Sequence, residues 1–367
     1  MPTKAQTTAA IARLAELRSS MKKHKIEGLV LTDLPSIRYL FGYSGSMGMA
    51  IVGKKNVHFF TNDLYAVQVH EETYKHAGMV IHVDRDFWGT AAKAGLGAKM
   101  KIIGFDPNTT NLTAFKTMKK GLAGAKLVEV PDLVSPITQI KTRTEITSIS
   151  KAAQIVSTAY ERMLGMVKPG MTEHQVATFL AATTRELGSE RDAFDIIVVA
   201  GKRSAMPHGR ATKTALKKGD VVTVDFGACV DGLYSDMTRT FSIGIPSKKV
   251  VDVFAVLYDA HLTALDTAKA GITAAKLDHA ARFIIERAGY GEYFRHSLGH
   301  GLGYEVHEHP RVSYANKSGV IQEGSVITIE PGIYLPGAFG MRIEDDVVIR
   351  KSGCDILTTA PRELVVV

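Results

Sequence analysis

Thiols are scarce in this chain. Its 367 residues include two cysteines, Cys229 and Cys354, which excludes a disulfide framework. No apolar run approaches the ~20 residues that span a bilayer, so no membrane association is expected. The first residues, MPTKAQTTAAIARLAELRSSMKK, lack the apolar centre of a secretory signal, and together these absences predict a cytoplasmic protein. Tryptophan occurs once, at Trp88. The formal charge is +8 and the pI near 9.2. The lysine doublets at 54–55, 119–120, 217–218 and 248–249 are nevertheless scattered rather than gathered into one aromatic-interleaved stripe. That distribution predicts a solvated basic surface and no nucleic-acid partner.

What the chain does contain is enough length for two domains and a large core. Ile11, Leu14, Leu17 and Met21 recur at helical spacing and predict an amphipathic N-terminal helix. Short apolar runs follow at 28–33, 49–53, 56–61, 79–84, 101–106 and 126–130, with helical stretches such as 62–76 and 111–120 between them. This alternation predicts a small α/β domain over residues 1–135. The proline-bearing segment VPDLVSPITQIK (130–141) reads as a connection, and residues 136–367 form the second domain. There, Thr142 with Glu145 and Thr172 with Gln175 are helix-starting capping boxes. Two helices and several strands are followed by two more helices, near 248–270 and 274–288, and further strands. The order predicts an α+β domain duplicated about a pseudo-twofold axis.

The duplication is visible in the residues. Lys218 to Gly227 reads KGDVVTVDFG, and Glu323 to Gly332 reads EGSVITIEPG, at an offset of 105. Asp225 falls on Glu330, and a second acid follows each copy: Asp236 in the first and Glu344 in the second. Asp231-Gly232 is a turn signal. Whether the turn centres on 230–231 or 231–232, Asp236 lies opposite Asp225 or one diagonal step away, ~5–8 Å between Cβ atoms. Glu344 is expected to face Glu330. Two like charges so close are costly unless a cation sits between them. His300, flanked by glycines in GHGLG, stands between the copies. Four carboxylates and one imidazole suit two Mn²⁺, Co²⁺ or Zn²⁺ ions. Such pairs sit ~3.5–4 Å apart and share a hydrolytic water or hydroxide.

At these residues the chain resembles the pita-bread metallopeptidases, which include methionine aminopeptidase, Xaa-Pro aminopeptidase and prolidase. The resemblance implies five ligands: Asp225 in VDFGA, Asp236 in SDMTRTF, His300 in GHGLG, Glu330 in IEPGIY and Glu344 in MRIEDD. TDLPSIRYLFGYSG (32–45) is similar to the creatinase-type N-terminal domain of the proline-directed branch, which methionine aminopeptidases lack. By the same resemblance His208 and His307 line the substrate site. His296 is a supporting or proton-handling group, and Arg342 supports the site. Arg311 matches a position that some prolidases use for the substrate carboxylate; alternatively it is simply exposed. Many relatives have Thr-Asp-x-Arg-Tyr where this chain has Thr61-Asn-Asp-Leu-Tyr65. Trp88 is either core or, as in some relatives, an aromatic that caps a neighbouring subunit's active site.

The implied activity is hydrolysis of the bond between an N-terminal residue and proline, in a dipeptide or a longer peptide, by a metal-bridging hydroxide. Glu330 is the expected proton acceptor and His307 the expected oxyanion donor, with manganese the first choice of metal and a homodimer the expected assembly. Two rivals stand: a non-peptidase hydrolase or lyase on the same fold, and a non-catalytic binding protein. Retention of all five ligands argues against both, because buried unpaired carboxylates are a burden without a cation.

Overall fold

Six short apolar runs of the N-terminal unit become the strands β1 (Gly28–Leu31), β2 (Met49–Gly53), β3 (Val57–Thr61), β4 (Met79–Val83), β5 (Ile102–Phe105) and β6 (Lys126–Glu129) of one mixed sheet, ordered β4-β3-β2-β1-β5-β6. The computed structural model describes residues 3–74 and 76–367, and the chain divides between Thr138 and Gln139 into two compact units. Strands β1, β2 and β3 pair antiparallel, whereas β4, β5 and β6 join parallel. The stretch 62–76 contains a 3₁₀ turn, Asp63–Tyr65, and the helix Ala66–Glu72. The helix Leu112–Gly121 starts where Asn111 caps the Ala114 N–H.

The N-terminal helix Lys4–Lys23 opens on a Thr3/Gln6 capping box. Its buried line is Ala10, Leu14, Leu17 and Met21, while Ile11 is 50% exposed. Two successive steps of three carry Ile11 off the stripe, so the expected face was one residue wrong at its start. Arg13 fills the gap, its guanidinium 4.1 Å from the Tyr39 ring centroid. Trp88 sits half-buried in the helix Phe87–Lys93 and packs on the core around Val30, Ile103 and Met118.

The C-terminal unit is built twice. Its first half has the helices Arg143–Leu164 and Glu173–Glu186, both begun by the expected capping boxes. Its strands are β7 (Ile197–Ala200), β8 (Val221–Phe226), β9 (Cys229–Val230), β10 (Leu233–Tyr234) and β11 (Met237–Ser242). The second half has the helices Lys248–Thr267 and Ala274–Arg287. Its strands are β12 (Gly299–Gly301), β13 (Glu308–Val312), β14 (Val326–Ile329), β15 (Gly332–Leu335), β16 (Phe339–Arg342), β17 (Asp345–Arg350) and β18 (Gly353–Ile356). A last strand, β19 (Val365–Val366), returns to the first half, giving sheets ordered β19-β11-β8-β7 and β13-β12-β14-β17-β18.

Each half has its own core. Val156, Tyr160, Leu180, Val224 and Phe241 pack in the first, and Leu257, Leu277, Ile285, Ile327 and Val347 in the second. Each such side chain contributes about 1.5–3 kcal/mol when fully buried. Both acid-bearing hairpins are therefore seated on rigid supports.

Register decides where the acids fall. Asp231 (φ 53°) and Gly232 (φ 73°) form the two-residue turn between paired Val230 and Leu233. Positive φ at both positions matches the right-handed twist of the strands. The same register pairs Asp225 with Thr238, so Asp236 lies one diagonal step from Asp225. In the second copy Gly332 pairs with Arg342 and Ile329 with Asp345, which puts Glu330 directly opposite Glu344. Among the described residues, no helix is long and apolar enough to cross a membrane.

Candidate metal centre

Strand ends and short loops deliver the site. Asp225 lies near the end of β8 and Asp236 just before β11; Glu330 follows β14 and Glu344 precedes β17. His300 is the middle residue of β12, where the chain runs unusually close to its neighbours. A Cβ at Gly299 would lie 2.0 Å from the Thr328 carbonyl oxygen, and one at Gly301 2.1 Å from that of His309. Only glycine fits at either place.

The acids and the histidine converge. Asp236, His300 and Glu344 each bring a ligand atom to within 4.8 Å of the others. His300 Nε2 stands 3.5 Å from Glu330 Oε1 and 3.7 Å from Asp236 Oδ2. Its Nδ1 faces the Gly301 carbonyl oxygen at 3.0 Å, so the proton sits there and Nε2 presents a lone pair to two carboxylates. Burial, reinforced by His307, pushes the imidazole down to about 4 and keeps it neutral near pH 7. Asp225 is tied in by Arg342, whose Nη2 donates to Oδ2 at 2.5 Å.

Electrostatics make this arrangement costly as bare protein. Burial, then the neighbouring Glu344 and Asp225 charges, pushes Asp236 well above the usual carboxylate range. Burial and Glu344 do the same to Glu330. Glu344 is pushed up to about 8 by burial and by Asp225, although Arg342 and a 2.7 Å hydrogen bond from Thr238 Oγ1 pull the other way. Asp225 Oδ1 and Asp236 Oδ1 are buried with no hydrogen-bond partner. Crowded carboxylates, orphaned oxygens and an inward lone pair all want positive charge. The donor set of oxygens with one imidazole nitrogen therefore fits hard-to-intermediate divalent cations.

The other expected residues surround this cluster. His296 Nε2 accepts from Tyr334 O–H at 2.9 Å, and its Nδ1 donates to the Ser297 carbonyl at 2.8 Å. Burial and Arg342 hold it neutral, down at about 3. Both ring nitrogens of His296 are thus engaged in hydrogen bonds. His307 stacks edge-on to His300 with centroids 4.4 Å apart, and burial lowers its pKa. His208 is exposed and close enough to His296 and His307 to lower both. Arg311, exposed on β13, similarly lowers His300 and His307. With Arg295, Tyr314 and Asn316 it lines a cavity of about 450 Å³ beside His296. Buried Arg342 donates to Asp225, Thr238 Oγ1 (2.9 Å), Tyr334 Oη (2.7 Å) and the Pro207 carbonyl (3.2 Å).

Residues 147–351 match metallopeptidase family M24, and residues 13–137 match the Creatinase/Prolidase N-terminal domain. The chain belongs to metallopeptidase family M24. It is 35% identical over 347 residues to an Xaa-Pro dipeptidase of Pyrococcus horikoshii, covering 94% of this chain and 96% of that one. The structure superposes on an Xaa-Pro dipeptidase from Bacillus anthracis with a TM-score of 0.93 and 35% identity, covering 98% of this chain and all of the other. It matches an X-Pro aminopeptidase from Thermotoga maritima with a TM-score of 0.86 and 37% identity, over 95% of this chain and 100% of that one. The protein is thus a hydrolase of peptide bonds whose chemistry belongs with divalent metal ions, and its fold is the expected pita-bread domain behind a creatinase-type N-terminal domain.

Sequence reasoning missed Tyr334, the buried hydroxyl that links Arg342 to His296 and that burial pushes up to about 12. Its place at the end of IEPGIY was the one signal for it. The brace behind Glu344 was missed as well. Fully buried Arg239 donates to the carbonyls of Thr238 and Glu344 and to Asp345 Oδ1, and His261, Thr358 and Arg362 complete that carboxylate's shell.

Proposed function

We propose that this peptidase is an Xaa-Pro dipeptidase of the cytoplasm, a homodimer that works with two manganese ions. Asp225, Asp236, His300, Glu330 and Glu344 would hold the metals. The two orphaned buried carboxylate oxygens carry this part of the reading, because no donor of the protein satisfies them. When bound, such ions supply Lewis acidity, polarising the scissile carbonyl and making hydroxide available near neutral pH.

The protein's own groups supply the rest. Glu330, with Oε1 3.5 Å from His300 Nε2 and Oε2 3.9 Å from His296 Nδ1, is the proton acceptor. His307, exposed and with its pKa lowered by partial desolvation, donates its N–H to the developing oxyanion. His208 orients the proline side of the substrate. Proline has no amide N–H and a fixed φ, which defeats peptidases that read an extended strand but suits a shaped pocket.

The cationic cavity lined by Arg295, Arg311 and His296 supports a dipeptide, whose terminal carboxylate these guanidinium groups would pair. The likeness to the Thermotoga aminopeptidase keeps a second reading in play, removal of the first residue from longer Xaa-Pro peptides. Mn²⁺-dependent hydrolysis of an Xaa-Pro dipeptide should exceed that of the matching Xaa-Pro-Yaa tripeptide. Arg311→Ala should raise KM for the dipeptide about tenfold, the loss of one charge-assisted contact of about 1.4 kcal/mol, and leave kcat nearly unchanged. Preferential cleavage of the tripeptide would establish the aminopeptidase instead.

A further inference from the structure

Each half of the catalytic unit uses its second helix to hold the chain segment that carries a site histidine. In the first half the device is Glu173, the first residue of its helix, whose carboxylate is fully buried. Its Oε1 accepts from the Ala200 N–H and from Arg203 Nε, both at 3.0 Å. Its Oε2 accepts from Thr212 N–H at 2.9 Å and Thr212 Oγ1 at 2.7 Å. Arg203 Nη2 then reaches the Arg210 carbonyl at 2.7 Å. One carboxylate thus closes both ends of the loop that contains His208.

Few buried side chains fix that loop. Of residues 201–210 only Ser204 and Gly209 are buried, so no apolar side chain in that stretch anchors it. Its other ties include the Gly340 N–H to Ser204 Oγ at 2.8 Å, Arg342 to the Pro207 carbonyl, an Arg210–Asp195 ion pair at 3.1 Å, and the close seat of the 3₁₀ turn Gly201–Ala205 against Gly340.

The second half repeats the device with different residues. Buried Asp278, in the helix Ala274–Arg287, accepts from the Leu298 N–H at 3.0 Å and from Arg282 through both oxygens. Arg282 donates onward to the carbonyls of Phe294 (2.9 Å) and His296 (2.8 Å). Its guanidinium also lies 4.1 Å from the Phe294 ring centroid. Segment 294–298 is gripped as segment 200–212 is.

We propose that these two carboxylate–arginine clasps are positioning devices for catalysis: Glu173 with Arg203 sets His208, and Asp278 with Arg282 sets His296. The proposal rests on the reading of His208 and His296 as groups of the Xaa-Pro hydrolase site. Charge-assisted hydrogen bonds in a water-poor setting are stiff as well as strong. A loop released from such bonds loses the alignment on which turnover depends, and a displacement near 1 Å costs up to about 100-fold.

The test is a double-mutant cycle on the full-length Mn²⁺ enzyme. Glu173→Gln preserves size but turns one acceptor into a donor facing Thr212 or Arg203. It should lower kcat/KM on an Xaa-Pro dipeptide about tenfold, through kcat, at unchanged bound manganese, and speed amide exchange in residues 201–212. In an His208→Ala background the same substitution should cost less than about twofold, because the group it serves is gone. Thr212→Val, which deletes one hydroxyl donor and is gentler on folding, should follow the same pattern at smaller size. Arg282→Met with His296→Ala gives the parallel cycle for the second clasp. Additive losses in the double variants, or loss of manganese in Glu173→Gln, would overturn the clasps while leaving the histidines their roles. Full activity of His208→Ala and His296→Ala would overturn the histidine roles and the proposal with them.

Discussion

Asp236→Asn should abolish turnover and at the same time make the metal-stripped protein more stable. The two effects have one origin. Asp236 is 5% exposed, its Oδ1 has no donor, and Glu344, Asp225, Asp346 and Glu330 all press on its charge. Without cations the folded protein must either bind protons at these acids or bear their repulsion, and the unfolded chain bears neither. The sign follows from linkage. A carboxyl whose folded pKa is raised contributes its full stability below the unfolded value, near 4.5 for glutamate, and loses it as pH climbs through the folded value, about 8 for Glu344. Stripped wild-type protein should therefore lose thermal stability between about pH 5 and pH 9, a range over which salt-bridged carboxylates, already ionised, contribute a constant amount.

Asparagine at 236 removes one charge from the crowd and should flatten that decline. A gain of 1 kcal/mol corresponds to about 2–4 °C in a unit of this size. Adding Mn²⁺ should reverse the ranking, since wild type gains binding free energy that the variant cannot. Thermal scans of both proteins after chelation, at pH 5, 7 and 9, decide the matter. A stripped wild type that grows more stable toward pH 9 would refute the electrostatic account of the centre.

Much of this centre is legible in the order of the residues because it is a chemical necessity written twice. The 105-residue offset places Asp225 and Glu330 on matching strands, and Asp231-Gly232 supplies a turn whose geometry has few solutions. What the offset cannot show is that the copies are unequal. Asp236 lies diagonal to Asp225, whereas Glu344 sits squarely opposite Glu330, and the place diagonal to Glu330 belongs to Arg342. One half thus contributes the cation that the other half's acid needs.

Partners that depend on how two hairpins meet are equally out of reach of a linear reading. Tyr334 reads as one more aromatic in a strand until its hydroxyl is found between Arg342 and His296. Glu173 reads as an ordinary acid in a helix's first turn, beside a cap that already explains the local sequence. The helix Leu34–Phe41 carries a local signal, Asp33 as cap and Pro35 in the first turn, that a search for apolar periodicity passes over. Short-range rules found the elements, and long-range polar contacts completed the site.

Arg342→Met should be the most destabilising single change at the site, and Asp225→Asn should rescue its stability without restoring activity. Arg342 is 3% exposed, and its guanidinium is held charged by Tyr334, Asp225, Glu344 and Glu330 against the cost of burial. Methionine fills similar volume but strands Asp225, whose other oxygen already lacks a protein donor. Breaking a buried pair in this way costs about 3–5 kcal/mol. Neutralising the orphan as well should return most of that loss, a coupling that a double-mutant cycle in stripped protein measures directly. Activity behaves differently, because Arg342 also holds Tyr334 against His296 and fixes the Pro207 carbonyl next to His208. Arg342→Lys keeps the charge but cannot reach four acceptors from one ammonium, so it should recover stability in part and kcat hardly at all. If lysine restored kcat, charge alone would be the contribution of this residue, and its planar fork would carry no alignment.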